Sequence, residues 1–201
     1  MRADQPVRPV QARGEQCIAK VCPRPRRRAS DWAFCPSVAM RARKSWREKL
    51  ADNKGLPRVE PITPKMSVRW GKGTVVIPSP KEVDWLMKRV PPGRLTTINQ
   101  IRSSLAKRHR ATIGCPITTG IFAWIAANAA EEAAAEGSRN ITPYWRTLKE
   151  RGQLNEKYPG GIPAVAKHLR AEGHKIVKRG RKFFVIGFED SLHPKPSRSR
   201  H

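Results

Sequence analysis

Acidic side chains are scarce in this chain: 16 Asp and Glu stand against 41 Lys and Arg in 201 residues, a formal net charge of +25 and a pI of about 11.2. Such a balance is too basic for an ordinary cytosolic metabolic enzyme and implies a polyanionic partner. The excess is not confined to the ends, since residues 1–43 carry ten basic and three acidic groups, residues 44–190 carry 28 and 13, and residues 191–201 carry three and none. Cysteine is sparse too. Cys17, Cys22, Cys35 and Cys115 form no C-x-x-C pair, which argues against a zinc or other metal site and for free thiols. The N-terminus, with Arg2 and Asp4, has no apolar stretch of signal-peptide length, so a cytoplasmic, nucleoid-associated location is expected. Residues 111–130 form an uncharged run long enough to span a bilayer, but Gly114, Pro116, Thr118, Thr119, Gly120 and Asn128 interrupt it. A buried helix is the expected reading, with no membrane association.

With 38% hydrophobic residues, the chain has enough apolar material for a core. Residues 1–43, rich in Pro, Arg, Ala and Ser, read as a disordered basic arm, and residues 191–201 as a disordered basic tail. The composition changes near Met40, an alternative translation start. Residues 44–74 read as an extended strap, with Trp46, Leu50, Val68 and Trp70 tucked against the core. Ser79-Pro80-Lys81-Glu82 is a capping box with Pro at the first helical position, followed by Val83, Leu86, Met87 and Val90 at helical spacing. Pro91-Pro92-Gly93 stops that helix. Thr97 caps a second, whose inner face is Ile98, Ile101 and Leu105 and whose end carries Lys107, Arg108, His109 and Arg110. A third helix is predicted over 119–136, its second half a solvated run from Ala130, with Gly137 as its stop. A fourth runs from Pro163 to Gly173, and residues 175–178 and 183–188 alternate around Arg179-Gly180 as a β-hairpin. The fold class expected is α+β, mainly helical: a winged helix-turn-helix with a small β-hairpin over residues 75–190. Trp70, Trp85 and Trp124 are expected in its core.

Over roughly residues 75–188 the sequence resembles the O6-alkylguanine-DNA alkyltransferase family, in its C-terminal DNA-binding domain. The resemblance is carried, in order, by Val90-Pro91-Pro92-Gly93-Arg94-Leu95-Thr96-Thr97 with Ile98-Asn99-Gln100-Ile101, Asn128, Ile141-Thr142-Pro143-Tyr144-Trp145-Arg146, Tyr158-Pro159-Gly160-Gly161 and Lys167-His168-Leu169-Arg170-Ala171-Glu172-Gly173. Residues 44–74 are too short for the ribonuclease-like domain that precedes this domain in the family.

The departure that matters is at Tyr144-Trp145, where the family carries Cys-His. Alkyl transfer from guanine oxygen needs a thiolate activated by an imidazole, and a phenol of ordinary pKa, about 10, does not replace it. The chain is therefore most similar to the alkyltransferase-like proteins, which lack the reactive Cys and bind alkylated DNA without repairing it; in them the replacement is usually Trp followed by His. The resemblance implies a lesion pocket of Tyr144, Trp145, Arg146, Tyr158, Gly160 and Gly161, and DNA contacts from Arg94, Thr96, Thr97, Asn99, Thr118, Thr119 and Asn128, helix N-termini being ready phosphate sites. It implies no cofactor, a monomer, double-stranded DNA, alkylated duplex included, as partner, nucleotide flipping, and a repair-complex protein as recipient. Thr119 aligns near the family's intercalating Arg, and Glu172, which orients the missing His, is expected to hold backbone or Arg146. Lys175, Lys178, Arg179, Arg181 and Lys182 form a basic wing. Two alternatives stay open: an active methyltransferase using Cys115, which lies near the third helix's start and otherwise reads as a core residue, or using Tyr144; and a nucleoid or RNA-binding protein with no lesion preference.

Overall fold

Three helices in this chain start by the same local chemistry. Ser45, Ser79 and Thr97 each accept a hydrogen bond from the backbone N–H three residues on, while Glu48, Glu82 and Gln100 reach back to the cap's own N–H. These reciprocal bonds satisfy orphan first-turn donors before any tertiary contact forms. They open α1 (Trp46–Ala51), α3 (Pro80–Lys88) and α4 (Ile98–Arg108). The computed structural model describes residues 44–193. The basic arm, Met40, Cys17, Cys22, Cys35 and residues 194–201 lie outside the described residues.

In chain order, α1 is followed by β1 (Arg58–Pro61), α2 (Pro64–Trp70), β2 (Thr74–Ile77), α3, β3 (Thr96–Thr97), α4, β4 (Ile113–Gly114), α5 (Pro116–Ala135), β5 (Thr147–Leu148), α6 (Gly161–Ala171), β6 (Ile176–Arg179) and β7 (Lys182–Val185). The class is mixed helix and strand. β2 pairs antiparallel with β1, Val76 opposite Val59, and parallel with β4, Val75 opposite Ile113. β3 and β5 form a short parallel pair, and β6 and β7 the expected hairpin, Ile176 opposite Val185 and Arg179 opposite Lys182.

The core lies between α3, α4, α5 and α6. Val83 and Met87 of α3, Ile101 and Leu105 of α4, Ala123, Ala126, Ala127 and Ala130 of α5, and Val165 and Leu169 of α6 are buried together with Val76, Leu95, Leu148 and Leu154. Alanines on α5 let its neighbours approach closely. Glu82 serves twice: besides its cap bond it meets His109 Nε2 at 2.9 Å and Arg108 Nε at 3.7 Å, tying the head of α3 to the end of α4.

Several expectations change. Residues 44–74 are not an extended strap, because the Ser45 cap makes α1, Pro64 opens α2, and β1 completes a sheet edge. Leu50 does pack on the core, but Val68 is 91% exposed. Residues 191–193 are not free tail: Leu95 N–H donates to Ser191 O, His193 N–H donates to Leu95 O, and Leu192 packs on the core. The third helix starts at Pro116 rather than 119, since Pro suits a helix's first position. Trp85 is 43% exposed, with the Arg89 and Arg108 guanidinium carbons 4.5 and 5.2 Å from its ring, while Trp70 and Trp124 are half-buried. The acidic end of α5 is not simply solvated. Arg47 N–H donates to Glu132 at 2.9 Å, the Arg47 guanidinium pairs with Glu136, and Glu131 accepts from Tyr144.

Candidate nucleic-acid interface

α4 and α5 are brought head to head by a close backbone approach. A Cβ at Gly114 would lie 2.6 Å from the Arg102 carbonyl oxygen, so glycine alone lets β4 press against α4. Arg102 locks the contact: its Nε donates to Gly114 O at 3.0 Å and its Nη1 to Asn99 Oδ1 at 3.0 Å. The heads of both helices then line one groove of about 520 Å³, closed on its third side by residues 149–157. Ile98, Asn99 and Arg102 come from α4, Pro116, Ile117, Gly120, Ile121 and Trp124 from α5, and Lys149, Glu150, Asn155 and Lys157 from the third wall. Three cations and one carboxylate line it, and Lys149 Nζ is also paired with Glu156 at 3.2 Å. Cys115, the N-cap of α5, makes no side-chain hydrogen bond, so the first-turn amides and the helix dipole are not answered by a capping side chain. A groove with cations on its walls and a helix N-terminus at its edge favours phosphate.

Of the seven residues expected at DNA, Asn99 lines this groove and Arg94 is exposed, its Nη1 donating to Asp190 O at 3.2 Å. Thr96, Thr97, Thr119 and Asn128 are bonded internally. Thr96 and Thr97 are both 7% exposed and bond to Gln100. Thr119 is fully buried and donates to Cys115 O at 2.7 Å. The Thr118 hydroxyl is buried without a partner, and Asn128 Nδ2 donates to Trp124 O at 2.8 Å. Burial of Thr96, Thr97 and Thr119, more than these bonds, keeps their hydroxyls from the surface. Arg102, Lys149, Lys157, Ile117, Ile121 and Trp124 went unnoticed as site residues. The signal for Ile117, Ile121 and Trp124 was their spacing with Gly120 after Pro116, one face of a helix; no local pattern marks Arg102, Lys149 or Lys157.

The residues expected to form a lesion pocket come together, but as a packed cluster that is part of the core at Tyr144 and Tyr158 and includes none of the groove's walls. Tyr144 is fully buried, edge-on to Trp145 and Tyr158 with ring centroids 5.3 and 5.6 Å away. Its hydroxyl donates to Glu131 at 2.9 Å. Burial, and then the bond to Glu131 and its charge, hold the phenol far above its ordinary pKa, so it stays protonated. Tyr158 is likewise raised by burial. Trp145 stacks on His168 at 4.1 Å between centroids. Gly160 and Gly161, with φ of 67° and 62°, make the turn into α6 that only glycine adopts without strain.

Arg146 is the knot of this cluster. Its Nε and Nη2 donate to Glu172, the latter at 2.7 Å, and its Nη1 donates to Val90 O at 2.7 Å. Glu172 also accepts from Trp145 Nε1 at 2.7 Å and Gly93 N–H at 3.2 Å. Burial opposes the carboxylate's charge, but the bonds from Arg146, Trp145 and Gly93 outweigh it, and its pKa lies below 4.5. Cys115 is a buried free thiol at the head of α5. No group of three His, Cys, Asp or Glu side chains able to hold a metal occurs among the described residues, nor any helix long and apolar enough to cross a membrane.

No family model and no curated protein matches the chain. Two solved structures are similar, each with 16% identity and a TM-score of 0.42, covering 57% of this chain and 93% of the other. One is S. pombe Atl1 in complex with damaged DNA containing O6-carboxymethylguanine. The other is S. pombe ATL in complex with DNA.

Proposed function

We propose that this chain is a DNA-binding protein that surveys duplex for O6-alkylguanine and accepts no alkyl group. One observation carries the reading: the residue at the position of the nucleophile, Tyr144, is a fully buried phenol whose hydroxyl is committed to Glu131 and whose pKa is raised by burial and then by that bond. A neutral phenol without solvent access is a poor nucleophile toward an alkyl ether of guanine. The neighbouring Trp145 is committed to Glu172 and His168, and an indole N–H takes no proton. The cationic groove at the heads of α4 and α5 supports binding as the output.

In this reading α4, α5 and the β6–β7 hairpin act as a winged helix. Arg102, Lys149 and Lys157 hold phosphates, and a flipped nucleotide is received by the groove between α4, α5 and residues 149–157, whose volume is in the range of small-molecule sites. A protein able to excise or repair the lesion would then take over.

Incubation with excess O6-methylguanine oligonucleotide followed by intact-protein mass measurement tests the chemistry. The expected mass is unchanged; a stoichiometric gain of one methyl group assigns an active transferase to Cys115 or Tyr144. Competition between lesion duplex and matched duplex at about 150 mM salt tests the survey function. Affinities equal within about twofold remove the lesion preference and leave a general nucleic-acid binder.

A further inference from the structure

α5 is apolar on two opposite sides. Ala123, Ala126, Ala127 and Ala130 face the core, whereas Ile117 and Ile121 are 61% and 46% exposed at the lip of the groove. They lie one helical turn apart, with Trp124 in the next turn. A lone surface isoleucine means little. A pair at the head of a helix, bounded by Arg102, Lys149 and Lys157, is an apolar ridge set among cations. That setting selects a partner with both negative charge and apolar faces, which is the chemistry of stacked bases on a phosphate backbone.

Gly120 points to the same partner independently. Glycine inside a helix weakens it relative to alanine, and a Cβ at this position would meet nothing within 4 Å. The fold gives no steric reason for the missing side chain. Close approach of another molecule's backbone does. Thr119, the position that resembles an intercalating Arg, is sealed in the core and cannot reach out.

We propose that Ile117 and Ile121 are the wedge of this protein, entering the base stack of duplex DNA while the notch at Gly120 admits the sugar-phosphate backbone. Their branched side chains are stiff at χ1, so little freedom is lost on insertion. The wedge rests on the DNA-binding reading above, but not on its lesion preference.

Two duplexes containing 2-aminopurine test it, one with a neighbouring O6-methylguanine and one with guanine. Unstacking raises 2-aminopurine fluorescence when the wild type binds. The double variant Ile117→Ala/Ile121→Ala keeps its fold and its salt slope on plain duplex, but loses at least about half of the fluorescence rise and about tenfold in affinity. Gly120→Leu binds both duplexes about tenfold more weakly at unchanged or raised thermal stability. A full fluorescence rise in the double variant, or none in the wild type at saturation, overturns the wedge. Equal wild-type affinity for the two duplexes overturns the lesion preference alone, and an isoleucine-dependent rise on both then upholds the wedge. Failure to bind either duplex overturns both.

Discussion

The Tyr144 hydroxyl donates to Glu131 across 2.9 Å, joining the turn before β5 to the acidic end of α5. This bond gives the acidic extension of α5 an internal role: the carboxylate that looks solvated in the sequence adds to burial in raising the pKa of a core phenol.

Tyr144→Phe is expected to leave Glu131 without its donor and lower stability by about 1 kcal/mol, read by urea denaturation. Tyr144→Cys is expected to stay unmodified by O6-methylguanine oligonucleotide in intact-mass measurements, because the thiol would be buried beside Trp145 with no adjacent imidazole base. A methylated Tyr144→Cys protein would show that the pocket opens to the lesion.

Glu172→Gln removes the charge from the Arg146 knot. With both partners largely buried, the loss is expected to be about 2–3 kcal/mol in denaturant unfolding. The pH dependence has a definite sign. Since the folded pKa of Glu172 lies below 4.5, its contribution is fully present above that value and is lost as pH falls through the lowered folded value. The wild type therefore loses this component of stability in acid, and Glu172→Gln shows a flatter acid limb.

Trp46 packs edge-on against Trp124, ring centroids 4.7 Å apart, so α1 braces one wall of the groove. Trp46→Ala is expected to cost about 2–3 kcal/mol of stability. It should also weaken duplex binding, measured by fluorescence anisotropy under conditions where the variant remains folded.

Lys149→Gln and Lys157→Gln are expected to reduce the log-log salt slope of duplex binding by about 0.9 each, without changing the preference between lesion and matched duplex. An unchanged slope would remove that lysine from the phosphate contacts.

Gly114→Ala drives a methyl into the Arg102 backbone and is expected to destabilise by about 1–3 kcal/mol, with weaker DNA binding as the heads of α4 and α5 separate. Thermal denaturation and anisotropy together read both effects.

Local chemistry explains which features were legible from the residues alone. The Ser79 and Thr97 caps, the core positions Val83, Met87, Ile101 and Leu105, and the turn at Arg179-Gly180 depend on neighbours within a few residues, so their spacing suffices. The two-faced apolar pattern of α5 was harder to interpret. Its small residues and its isoleucines look alike in composition, and only the packing of α3 and α4 assigns the alanines inward and leaves Ile117 and Ile121 outward. The same holds for hydroxyls: Thr96, Thr97 and Thr119 have the right chemistry for phosphate, but the chain spends them on caps and on its own carbonyls.

The sequence by itself determined the sign of the net charge, through its 41 basic against 16 acidic residues, and the side chains Tyr144 and Trp145 that the fold then buries or half-buries. Those are properties of composition and of residue identity, which no folding alters. Tertiary structure decided which cations share a groove and how Tyr144 is buried. Arg102, Lys149 and Lys157 are 8 to 55 positions apart in the chain and share a groove only once the chain folds, Gly114 letting β4 close on the Arg102 backbone. The pKa of a phenol, in turn, depends on burial and on a carboxylate 13 residues away, neither of which exists before the chain closes around them.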